Sequence, residues 1–99
     1  MTSPAWLRLS TIRHYEPLAE ALGVSEVARS ERGFLTAYRK AGGSPARLSE
    51  WWRNRRDNFV KRHMAQLKAH GEPLWVAGLP TRRHLALIMW AYSPTPSKL

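Results

Sequence analysis

A chain of 99 residues with sixteen lysines and arginines against seven acids carries +9 at neutral pH. Such a surface draws polyanions: nucleic acid, an anionic membrane face or an acidic protein. The absence of cysteine rules out a disulfide framework, a zinc ribbon and a thiol nucleophile, and it fits a reducing, cytoplasmic setting. The longest apolar run, Leu85 to Tyr92, has eight residues, against about 20 for a membrane span, so a soluble chain without a membrane partner is expected.

In chain order, Thr2-Ser3-Pro4 has the chemistry of a helix start, although WLRLSTIRHY also alternates with period two and leaves a strand open. Pro17 is expected to open a short helix that Gly23 stops. Ser25 or Ser30 would cap the next, which carries Phe34, Leu35, Ala37, Tyr38 and Ala41 at helical spacing and ends before Gly42-Gly43. Ser44-Pro45 begins a turn, and Ser49 is placed to cap a long helix that runs to about residue 69 before His70-Gly71. Residues 72–80 read as a loop punctuated by proline and glycine, with Leu74, Trp75 and Val76 folding back on the core. Thr81 caps a last helix that Ser93-Pro94 stops. Because Leu85 to Tyr92 is apolar all round, that helix should be central. The expected fold is all-α: a compact bundle of four to five helices, one domain over 1–92, with a long basic helix, an apolar C-terminal helix and a mobile tail over 93–99.

The long helix carries most of the charge. From Arg47 to Lys68 there are seven basic and two acidic residues, a net of +5. At 3.6 residues per turn, Trp52, Arg56, Phe59, His63 and Leu67 fall within about 80° of one another, with Val60 beside them, and form the packing face. Asn54, Asn58, Lys61, Arg62 and Lys68 take the opposite arc, with Arg53 and Arg55 at its margins. Trp51 points about 100° from Trp52, so it falls at the boundary beside Arg55, where it either covers a neighbouring helix or stacks on a base.

Two features run against local electrostatics. Arg82, Arg83 and His84 stand in a first helical turn, where acids are favoured; the two arginines either make an anion site with the free amides, or point into water or pair with Glu72 or Glu50. Arg56 and His63 lie on a face that packs, where each needs a hydrogen-bond partner unless they converge with Arg82, Arg83 and His84 into one basic pocket. Catalysis has little to work with. The four histidines form no i,i+4 metal pair, Asp57 is the only aspartate, and there is no glycine-rich phosphate loop, so neither metal nor cofactor is expected.

TIRHYE, at 11–16, is similar to the recognition helix of MerR-type regulators, without the preceding helix and turn. LAEALGVSEVAR, at 18–29, resembles the helix-turn-helix turn of many repressors, with Arg29 standing where that pattern has an apolar residue; the resemblance implies a second helix opening at Ser25 to Arg29. RGFLTAYRKAGG, WWRNRRDNFVKRHMAQ and PTRRHLALIMWAYSP look like small basic proteins of bacteriophages and bacteria, a resemblance that brings no activity with it. The reading is therefore a non-enzymatic nucleic-acid-binding protein, DNA or RNA, that contacts phosphates through Arg53, Arg55, Lys61, Arg62, Arg82 and Arg83. The alternative is a small phage-type effector or inhibitor that uses the same surface against an acidic host protein or a nucleic-acid enzyme.

Overall fold

A computed structural model describes residues 5–93. The expected helix start at Thr2-Ser3-Pro4 and residues 94–99 of the expected tail lie outside them; Ser93, placed in that tail, is instead buried with its amide on the Ala5 carbonyl at 3.2 Å. Four helices, α1 (Leu9–Leu22), α2 (Phe34–Lys40), α3 (Glu50–His70) and α4 (Arg82–Met89), build a compact, mostly helical globule. Between α3 and α4 a small antiparallel hairpin pairs β1 (Trp75–Val76) with β2 (Leu79–Pro80). The apolar helix α4 packs against both α1 and the long basic α3, and Leu85, Leu87, Ile88 and Met89 are buried in it, as an all-round apolar helix requires.

Several helix ends form where the residues predict. Ser49 accepts a hydrogen bond from the Trp52 amide at 3.2 Å, and Thr81 accepts one from the His84 amide at 3.3 Å. Gly23 and Gly71 end α1 and α3 with φ of 65° and 63°. In each case the next amide, Val24 or Glu72, bonds back to Ala19 or Leu67, which makes a Schellman stop.

Three expectations need correction. Pro17 lies inside α1 rather than opening a helix. Its missing amide removes one bond on an exposed face, while Ile12 and Ala19, on either side, are buried and the helix packs against α4. Neither Ser25 nor Ser30 caps a helix: residues 25–32 form turns, and Ser30 donates to the Val27 carbonyl instead. The repressor-like stretch thus ends in a helix stop without a second helix after it. The turn is held close to α2 by the Leu35 amide on Ala28 and by Gly33, where a Cβ would stand 2.1 Å from the Val27 oxygen. The third correction is the loop over 72–80, which contains the hairpin. Ala77 and Gly78 both take positive φ at its turn, as two-residue hairpins demand, and Trp75, Val76 and Leu79 point outward rather than into the core. Of the three residues expected to fold back, only Leu74 packs against it.

Arg56 accounts for how the last helix ends. α4 ends with the amides of Trp90, Ala91 and Tyr92 bonded back to the Leu87 and Ile88 carbonyls, and Ala91 turns the chain at φ 58°, a conformation unfavourable for alanine. The Arg56 guanidinium, fully buried, donates to the carbonyls of Trp90 at 3.0 Å and Ala91 at 2.7 Å. It also donates to Ala5 and to the Asp57 carboxylate, and it stacks 4.0 Å over the Trp6 ring. The Leu7 amide meets the same Ala91 oxygen, and Trp6 bridges Tyr92, so one side chain joins the N-terminal segment, α3 and the end of α4. Burial pulls the Arg56 pKa below its ordinary value, Asp57 opposes that, and a guanidinium still stays protonated.

Around this clamp sits an aromatic core in which Trp90 stacks on Phe34 at 5.0 Å and on Phe59 at 4.5 Å. Replacing Arg56 with methionine is expected to cost about 3 to 5 kcal/mol, because it strands Asp57 and the Trp90 carbonyl and takes a second donor from the Ala5 and Ala91 carbonyls; lysine, with a single ammonium, should recover less than half. Chemical denaturation of the three proteins checks this, and a methionine variant as stable as the parent contradicts the clamp.

Candidate nucleic-acid interface

The predicted faces of α3 are the observed ones. Arg56, Val60 and Leu67 are buried, Trp52, Phe59 and His63 are half-buried, and Asn54, Arg55, Asn58, Lys61, Arg62 and Lys68 are exposed. The exposed arc does not stand alone. The turn after Gly23 runs beside it, and the two enclose a groove of about 690 Å³ with Arg55, Asn58 and Arg62 on one wall and Glu26, Val27 and Ala28 on the other. Its floor is the stacked pair Phe59 and Trp90. Gly23 and Ser25 also border a second hollow of about 430 Å³, lined by His63, Glu72, Arg82 and Arg83, so the two adjoin. Four of the six arginines and lysines expected to meet phosphate thereby line a pair of adjoining hollows, Arg55 and Arg62 the first, Arg82 and Arg83 the second.

The other two do not. Arg53 donates to the carbonyls of Leu48 at 2.9 Å and Pro45 at 3.3 Å, closing the short 3₁₀ turn over Pro45–Arg47 that leads into α3. An arginine one turn into the following helix thus reaches the Leu48 carbonyl and shares the Pro45 carbonyl with the Leu48 amide. Lys61 is exposed on the far arc, outside either hollow.

At the start of α4 both arginines already have partners, Arg83 the Glu72 of the pairing alternative and Arg82 a carbonyl in place of either glutamate. Arg83 donates to Glu72 at 2.9 Å and to Gln66 at 2.6 Å. Arg82 donates to the Leu22 carbonyl at 2.9 Å, capping the end of α1. Both still border the hollow, Arg82 at the surface and Arg83 partly covered. These bonds fix where the guanidinium groups sit and answer the doubly basic first turn, whose charges are drawn off the helix axis toward a carboxylate and a carbonyl.

The pocket expected to unite Arg56, His63, His84, Arg82 and Arg83 does not form as a whole. Only His63 joins the two arginines. Arg56 is spent on the clamp. His84 faces the opposite side, in contact with Trp75 and Tyr92, because residues 83 and 84 diverge by about 100° on a helix. Its Nδ1 meets the Leu74 carbonyl at 3.0 Å, which makes Nδ1 the protonated nitrogen; Nε2 is buried without a partner among the described residues. His63 stacks on Phe59 at 4.1 Å, and its Nδ1 lies 3.3 Å from Arg83. A guanidinium only donates, so this nitrogen accepts.

Trp51, expected to cover a neighbouring helix or to stack on a base, is 60% exposed. It lies edge-on to Trp52 at 4.7 Å with Arg55 over its ring at 5.3 Å. The opposite groove wall was missed in the sequence, since Val24 to Arg32 has no periodicity to place it; the glycine stop at Gly23 was the one signal that the chain turns there. Among the described residues no three His, Asp or Glu side chains gather to hold a metal ion, and no helix is long and apolar enough to cross a membrane. Comparison with family models, curated proteins and solved structures found no match.

Burial lowers the pKa of both His63 and His84, and Arg83 and Arg62 lower His63 further. Histidines that resist protonation in the fold but accept it when unfolded favour the native state above the unfolded value of 6.5 and withdraw that stability as the pH falls below it. The thermal midpoint should therefore drop between about pH 8 and pH 5, and less so in a His63→Gln, His84→Asn double variant. A midpoint that is flat or rises on acidification contradicts the assignment.

Proposed function

We propose that the chain binds nucleic acid through phosphate contacts in the depression between α3, the turn after Gly23 and the start of α4, and that it does so without catalysing a reaction. The observation that carries this reading is the placing of Arg55 and Arg62 in one hollow and of Arg82 and Arg83 in a second that adjoins it at Gly23 and Ser25. Those residues come from two helices distant in sequence. Arg55 and Arg62 stand seven residues apart on α3, about 10 Å along the axis, and offer two separate contacts to one backbone. Glu26 and Glu72 also line the depression, and Glu72 is held by Arg83, so a phosphate arriving there competes with a carboxylate for the same guanidinium. A cytoplasmic location, and a place among small basic phage or bacterial proteins, go with this reading.

A second reading has its own support. The hairpin tip exposes Trp75, Val76 and Leu79, and an effector that clasps an acidic host protein would use apolar contacts beside its arginines. Pull-down from lysate with and without nuclease separates the two, since a protein partner survives nuclease.

For phosphate contacts, affinity should fall between 50 and 200 mM salt by about tenfold for two contacts and about a hundredfold for four. Arg55→Glu with Arg62→Glu should abolish binding and leave helical circular dichroism unchanged, because both side chains are exposed. Fluorescence anisotropy across a salt series reads both effects. A salt-insensitive complex, or a double variant that binds normally, removes the proposal.

A further inference from the structure

The groove has a chemistry that phosphate contacts alone do not need. Its α3 wall is basic and polar, through Arg55, Asn58 and Arg62; its opposite wall presents Val27, 78% exposed, and its floor is the Phe59–Trp90 stack. Arg55 lines the groove and also lies over the ring of Trp51, which stands outside that lining. Trp51 is held in orientation from two directions, by Trp52 at its edge and by Arg55 above, while most of its surface meets solvent. A tryptophan held open beside arginines is the arrangement by which proteins take unpaired bases: the ring stacks on a base and the cations follow the backbone.

A duplex hides its bases and presents phosphates on a convex cylinder. It would touch only the rim of a groove recessed between α3 and a turn, and it would leave Trp51 and Val27 without a role. Resting on the proposed nucleic-acid function, we infer that the groove takes single-stranded nucleic acid, with a base stacked on Trp51 and flanking phosphates on Arg55 and Arg62. Asn58, between the two arginines, faces the same groove and offers a donor and an acceptor to a base edge or sugar.

The test compares fluorescently labelled oligothymidylate, oligouridylate and a hairpin duplex, with inorganic polyphosphate as competitor, at about 50 mM salt. A single strand should bind at least tenfold more tightly than the duplex. Preference between oligothymidylate and oligouridylate reports whether the ribose 2′-hydroxyl is read, and either strand supports the inference. Trp51→Ala should lower single-strand affinity by about fivefold to a hundredfold and leave duplex affinity unchanged; Trp51→Phe should keep most of it but lose part of the tryptophan quenching on binding. Val27→Glu, an exposed change on the opposite wall with Trp51 intact, should also weaken the single strand. Equal affinity for duplex and single strand, or a Trp51→Ala protein that binds the strand normally, overturns the inference while salt-dependent binding keeps the phosphate reading alive. Failure of all three nucleic acids to bind at low salt removes both.

Discussion

The structure depends on where a buried guanidinium finds its partners. Arg56 would be costly in an aromatic core if its donors were idle. It is tolerable because the left-handed turn at Ala91 presents the Trp90 and Ala91 carbonyls to it, because the N-terminal segment brings Ala5 and Trp6, and because Asp57 supplies the charge. The reverse also holds. Ala91 keeps a strained conformation because its oxygen is needed by both Leu7 and Arg56. The clamp fixes α3 against α4, and with it the Phe59–Trp90 stack that floors the groove.

Arginines here divide by what occupies their donors. Arg53 and Arg56 are consumed by backbone carbonyls and a carboxylate, and serve the fold. Arg82 and Arg83 do both jobs, capping α1 and pairing with Glu72 while lining a hollow. Arg55 and Arg62 are exposed on the groove wall. Net charge attracts a polyanion from a distance, but only guanidinium groups placed and not spent can choose where it lands. The fold thus turns a diffuse charge of +9 into a narrower feature, with an aromatic ring at its edge.

The starts of α3 and α4 at Ser49 and Thr81, the glycine stops at Gly23 and Gly71 and the two faces of α3 were legible because each rests on short-range rules: serine or threonine before a run, glycine after it, apolar residues at 3.6 spacing. The central place of α4 followed from eight apolar residues in a row. What local rules missed was decided by tertiary contacts. Pro17 reads as a boundary but sits on an exposed face of a helix whose other face is buried. Trp75 and Val76 read as core but stand on a hairpin whose turn is set by Ala77-Gly78. Arg53 and Arg55, two residues apart in one basic stretch, differ only in whether an earlier turn leaves carbonyls within reach. The groove itself needs Val27 across from Arg62, a pairing of segments more than thirty residues apart that no periodicity encodes.

The central claim is that the depression lined by Arg55 and Arg62, and not the clamp or the far arc of α3, meets the ligand. Nuclear magnetic resonance of the arginine side-chain Nε–H groups and the tryptophan indoles, followed as oligothymidylate is added, tests it most directly. The signals of Arg55, Arg62 and Trp51 should move first, those of Arg82 and Arg83 with them or after, while Arg53 and Arg56 stay still. Movement concentrated on the Arg53 or Arg56 signals, or on the Lys61 and Lys68 amides with Arg55 and Arg62 unmoved, would contradict it.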